Sequence, residues 1–119
     1  MKIKTSELIG PALDWAVIVA NGQDAAYWLE MYLSEGRRVF CARSSTEWVQ
    51  GGPIIDREGI SLLYLYVTDD PFRWAATQKP NIRKVKPDSV YGPTPLIAAM
   101  RCYVASKLGD EVDVPEELL

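Results

Sequence analysis

The sequence predicts an α+β domain, about three helices packed on a small, mostly antiparallel sheet. Three observations predict it: apolar residues recur at helical spacing in two stretches near the start and one near the end, the run from Ile60 to Val67 is aliphatic and aromatic, and turn residues separate these segments. At 119 residues, 48% apolar and 24% charged, the chain is long enough to bury a core and far from a disordered composition, so residues 1–119 are expected to form a single domain.

The first helix is expected from Thr5 to Gly22. Pro11 suits a first turn, Leu13, Ala16, Val17 and Ala20 recur at helical spacing, and Asn21-Gly22 is a stop signal. Trp15, Ile18 and Val19 make its other face apolar too, leaving Asp14 as its lone charge, so this helix should be covered on most sides. The second helix is expected from Gln23 to Gly36, with Asp24 as N-cap and Trp28, Leu29, Tyr32 and Leu33 on one stripe. Arg38 to Arg43 switches to a short β pattern, and Ile60 to Val67 is the clearest strand, with Phe72 to Thr77 as its hairpin partner. Gln78 to Pro93, rich in Pro, Lys and Asn, shows no apolar period and reads as a long loop. In the last helix Thr94 caps, Pro95 takes the first position, and Leu96, Ile97, Met100, Tyr103, Val104 and Leu108 precede the Gly109 stop. The acidic tail from Asp110 to Leu119 can fold back through Val112, Val114 and Leu118.

Composition also narrows function. A net charge of -3 disfavours attachment to nucleic acid, which needs clustered Lys and Arg. Histidine is absent, and no nucleophile has an evident base beside it, so no catalytic residue is nominated. Asp56 and Glu58, two apart, point to different faces of a helix and do not make a carboxylate pair. Cys41 and Cys102 lie far apart with no ligand spacing, which argues for reduced core residues and against a metal site or a redox motif; no cofactor is expected. No apolar run has signal-peptide or membrane-spanning length, so a cytoplasmic protein without a membrane partner is expected.

Three blocks carry a family resemblance. The run STEWVQGGPIIDRE, Ser45 to Glu58, the run GPTPLIAAMRCYVA, Gly92 to Ala105, and Leu13-Asp14-Trp15-Ala16 together span most of the chain. In them the sequence resembles the NinX family of phage and prophage proteins, departing from its pattern at Glu47, Val49 and Asp56. The resemblance implies a phage accessory protein working inside the host bacterial cell, and it supplies no activity to transfer. By analogy with other genes of early phage regions, it makes a small-molecule or host-protein partner the expectation.

Candidate binding residues come from two places. In the loop from Ser44 to Pro53, Trp48 could stack on a planar, nucleotide-like ligand while Ser45, Thr46 and Gln50 read its polar edges, with Gly51 and Gly52 allowing close backbone approach. The competing structural reading is a tight turn with Trp48 in the core and Gly51-Gly52 taking unusual dihedrals before a short helix that starts at Pro53. At the last helix, the start at Thr94 and the lone cation Arg101 could meet negative charge; N-capping by Thr94 and a solvent-exposed or Asp56- or Glu58-paired Arg101 are the structural readings. Lys79, Arg83, Lys84 and Lys86 form a local basic patch that reads first as a solvated loop face. A small-ligand binding module is the preferred expectation. The alternative is an adaptor that binds a host factor, or a second copy of itself as a homo-oligomer, through aromatics drawn from Trp28, Tyr32, Tyr64, Tyr66 and Trp74.

Overall fold

The computed structural model describes residues 1–36, 40, 42–65, 73–78 and 89–119. Its centre is the last helix, α4 (Pro95–Leu108), which has no polar face to give to solvent: every residue from Leu96 to Val104 is buried. The Thr94 hydroxyl accepts the Ile97 N–H at 3.1 Å and Pro95 opens the helix, so both start signals read from the sequence hold.

Helix α1 (Gly10–Ala20) packs along α4 and buries Ala12, Leu13, Ala16, Val17 and Ile18. It begins later than Thr5 because the preceding residues serve another purpose, strand β1 (Lys2–Lys4) followed by one 3₁₀ turn (Thr5–Glu7). Helix α2 (Ala25–Ser34) is capped by Asp24, whose carboxylate accepts the Tyr27 N–H at 3.1 Å. It lies on the outside of the molecule, and Trp28, Leu29 and Tyr32 are half-buried against the core.

The described residues hold four α-helices, one more than the sequence predicts. The additional one is α3 (Trp48–Glu58), which begins inside the segment read as a loop. Gly51 and Gly52 lie in its first turns, and Pro53 follows within the helix. These are strong turn residues, but close packing overrides that preference: a Cβ on Gly51 would collide with the Ser44 carbonyl and come 2.6 Å from Leu96 Cδ2. Glycine is what lets α3 approach the first turn of α4. Gly59, with φ at +63°, then ends the helix in the left-handed region.

The strands form two antiparallel sheets. Strand β2 (Ile60–Tyr64) pairs with β3 (Trp74–Gln78) as the expected hairpin, with Leu62 opposite Ala76 and Tyr64 opposite Trp74. Strand β4 (Val90–Gly92) adds to the far side of β3 and overturns part of the long-loop expectation for Gln78 to Pro93. Three residues are too few to show alternation, and their partner is distant in sequence. Ile60, Leu62, Trp74, Ala76 and Val90 share the face that packs on the core, while Leu63, Ala75 and Tyr91 form a row on the other. The second sheet pairs β1 with β5 (Glu111–Asp113), Ile3 opposite Val112, so the acidic tail does fold back and Val112, Val114 and Leu118 enter the core. The β pattern of Arg38 to Arg43 rests largely on residues 37–39 and 41, which lie outside the described residues, as do 66–72 and 79–88. Among the described residues no helix is long and apolar enough to cross a membrane.

Candidate functional site

The segment from 42 to 47 is built to hold the start of α3 in place. The Arg43 carbonyl accepts the N–H groups of Thr46 at 3.1 Å and Glu47 at 2.8 Å, which closes a tight turn. The Arg43 N–H donates to Gln50 Oε1 at 2.6 Å, tying that turn to the helix it precedes. From below, the buried carboxylate of Asp14 on α1 accepts the Ser45 N–H at 2.8 Å. The lone charge of an otherwise apolar helix is therefore spent on main chain, and burial raises its pKa against the lowering effect of Ser45 and Arg43.

This geometry divides the residues expected to bind a ligand. Ser45 is 2% exposed and Gly51 is filled by its neighbours, so neither meets solvent as a ligand-reading group. Gln50 is exposed, but its carbonyl oxygen already accepts from Arg43. Thr46 and Trp48 remain open and Gly52 has free space above it. Trp48 is not in the core, as the structural reading had it: it is 55% exposed, and Val49 beside it is 87% exposed. Side chains that bare protrude from a surface; a residue lining a small-molecule hollow is largely enclosed.

Thr94 and Arg101 are likewise occupied. The Thr94 hydroxyl is the α4 cap. Arg101 is only 4% exposed, which overturns the solvent-facing reading, and it pairs with neither Asp56 nor Glu58. Its Nε donates to the Leu8 carbonyl at 2.8 Å and its Nη1 to the Tyr91 carbonyl at 2.9 Å, stitching the 3₁₀ turn and the β4 edge to the central helix.

A depression of about 420 Å³ lies elsewhere, lined by Asn21, Gln23, Arg57, Glu58, Tyr103 and Lys107. Arg57 Nη2 donates to Asn21 Oδ1 at 3.0 Å and to the Tyr103 hydroxyl at 3.3 Å, its Nε donates to Glu58 at 2.9 Å, and its guanidinium lies 5.6 Å from the Tyr103 ring centre. The Tyr103 hydroxyl donates in turn to Asn21 Oδ1 at 2.6 Å. Arg57 holds the Glu58 carboxyl below its usual range. Sequence reading missed this cluster, since the residues belong to the ends of α1 and α3 and to α4, and no local spacing unites them. Helix C-termini carry partial negative charge, which explains why Arg57 and Lys107 sit in the last turns of α3 and α4. The basic patch from Lys79 to Lys86 lies outside the described residues.

Cys102 is buried and burial pushes its thiol up to about 11, the opposite of an activated nucleophile. Among the described residues no three Cys, Asp or Glu side chains cluster as metal ligands. Of the aromatics expected to form an adaptor patch, Trp28 and Tyr32 pack on Phe40 with ring centres 6.4 and 5.7 Å from it. Tyr64 and Trp74 contact each other at 5.1 Å, and Tyr66 lies outside the described residues.

Residues 4–107 match the family model described as Bacteriophage P22, NinX. No curated protein matches the chain.

Proposed function

Because the chain belongs to the Bacteriophage P22 NinX family, we propose that it is a phage accessory protein acting as one non-catalytic domain in the host cytoplasm, docking on a host protein through the start of α3. One observation carries this reading: Trp48 and Val49 are 55% and 87% exposed at the start of a helix that is held on two sides, by the preceding turn, whose Ser45 N–H is bound to Asp14, and by the close approach of Gly51 to α4. Tryptophan is the residue most enriched at the energetic centres of protein interfaces, and an anchor held rigid before contact loses little entropy when it docks. Thr46 adds a hydroxyl beside that anchor.

The protruding position favours a partner surface over the small, nucleotide-like ligand that the sequence first suggests. The ligand reading keeps one specific support, the depression between Gln23, Arg57 and Lys107. Its polar walls suit a hydrogen-bonding ligand better than a flat apolar one.

The two readings part in one experiment. A partner retained from host lysate by the wild-type protein, then purified and titrated, should bind saturably and lose at least about tenfold in affinity with Trp48→Ala, a change of about 1.4 kcal/mol or more. A partner that binds both proteins equally overturns the Trp48 anchor. Calorimetric heat from a nucleotide and cyclic-dinucleotide panel, abolished by Lys107→Ala and untouched by Trp48→Ala, would replace the docking reading with the ligand one.

A further inference from the structure

The solvent side of α3 is one continuous band. Trp48, Val49, Pro53 and Asp56 are exposed on the side of the helix away from the buried Gly51 and Ile54. Within that band Trp48, Gly52 and Asp56 stand four residues apart, so they are successive neighbours in one row, each about 6 Å from the next along the helix axis. The middle member has no side chain. A Cβ added to Gly52 would meet no atom of the described residues within 4 Å, whereas one on Gly51 collides with Ser44 and Leu96. Packing within the chain therefore explains Gly51 and does not explain Gly52, although glycine is among the poorest helix formers. The row is a ridge with a notch in it: an indole at one end, a carboxylate at the other and bare backbone between, where another molecule can approach closely.

The charge that borders the notch is negative. Asp56 is exposed, and the cation next to it in sequence, Arg57, is turned to Glu58, Asn21 and Tyr103. Glu47 adds a second exposed carboxylate just before Trp48, with Arg43 at a loose 3.8 Å. The chain as a whole carries a net charge of -3. A long cationic side chain complements all three parts of the row: its methylene stem lies over Gly52 against the indole, and its charged head meets the carboxylate. An apolar side chain of the same length would leave Asp56 unmatched, and an acidic one would be repelled.

We propose that the notch at Gly52 seats a lysine or arginine side chain of the host protein, its stem crossing Gly52 beside Trp48 and its head paired with Asp56. The inference rests on the docking reading, since it names the chemistry of the partner at that same surface.

The test is a titration of the ¹⁵N-labelled protein followed at the Trp48 indole N–H and the Gly52 amide. The probes are acetyl-Leu-Arg-Leu-amide, its citrulline counterpart, which keeps the shape and loses the charge, and its glutamate counterpart. The arginine peptide should move both signals saturably and bind about three- to fivefold tighter than the citrulline peptide, with the glutamate peptide weakest. Asp56→Asn should erase the arginine preference while leaving citrulline binding unchanged, and Gly52→Leu should weaken both peptides by filling the notch. An unchanged pattern of core amide signals verifies that each variant folds. A preference that survives Asp56→Asn overturns the proposal, as does arginine binding that survives Gly52→Leu or the absence of a saturable shift with any peptide. Equal binding of the arginine and citrulline peptides, lost at the Gly52 amide in Trp48→Ala, overturns the cation while leaving Trp48 as an anchor, so the two failures are told apart.

Discussion

Two buried charges hold this molecule together, and they do so in opposite ways. Asp14 on α1 and Arg101 on α4 are each 4% exposed on helices that are otherwise apolar or small-residue, and each is spent on main chain. Asp14 receives one N–H from the turn that presents Trp48, and burial moves its pKa toward the neutral form. Arg101 gives two hydrogen bonds to carbonyls from distant parts of the chain and must stay charged, since arginine does not lose its proton in proteins. The acid can give up its charge without giving up its acceptor; the base cannot. The first is a replaceable latch and the second is a fixed staple, and that difference sets what each substitution should do.

The largest effect should come from Arg101→Met. Methionine fills similar apolar volume but donates nothing, leaving the Leu8 and Tyr91 carbonyls without their side-chain donor, which should cost about 2–4 kcal/mol in urea unfolding. A loss below about 1 kcal/mol would mean that water replaces the guanidinium and that the staple is not structural.

Next comes Gly51→Ala, which acts on the same turn as Asp14 from the opposite side. Its new Cβ meets the Ser44 carbonyl, and backbone cannot swing away as a side chain can, so thermal melting should report a loss of about 1–3 kcal/mol. An unchanged midpoint would show that α3 has room to slide along α4.

Asp14→Asn should be milder, and its sign depends on pH. The folded-state pKa is raised above the unfolded one, so the stability this group contributes is fully present below the unfolded value near 3.8 and is lost as pH rises through the folded value. Asparagine keeps an acceptor for the Ser45 N–H and never ionises. The variant should therefore match the wild type in acid and equal or exceed its stability at neutral pH. Should the variant prove less stable at neutral pH, the carboxylate charge itself would be what holds Ser45. The smallest change belongs to Trp48→Ala, which should alter stability by less than about 0.5 kcal/mol because the indole stands largely in solvent.

The same contrast shows what can be read from a sequence. Local signals were legible: the Asp24 and Thr94 caps and the β2–β3 hairpin all rest on neighbours a few residues apart. Three features escaped because they are set by residues far away. The β1–β5 pair joins three-residue strands from opposite ends of the chain, too short for any period to show. Helix α3 runs through a Gly-Gly-Pro sequence that reads as a turn until Leu96 and Ser44 explain the glycine. Arg101 looks like a surface cation until Leu8 and Tyr91 supply its carbonyls. The candidate site followed the same rule. Trp48 and Thr46 carry ligand-reading chemistry in the sequence, but whether they stand open or enclosed is not written there: their exposure, and the enclosure of Ser45 and Gly51, depend on α1 and α4.

The unequal exposure of the four indoles has a practical consequence. Trp48 is open to solvent, whereas Trp15, Trp28 and Trp74 are partly enclosed against the core. A collisional quencher such as acrylamide should reach Trp48 first, and a partner settling over α3 should shield that emission and shift it to shorter wavelength. The chain thus carries an intrinsic fluorescent reporter at the place where contact is proposed, and no dye needs to be attached to watch it.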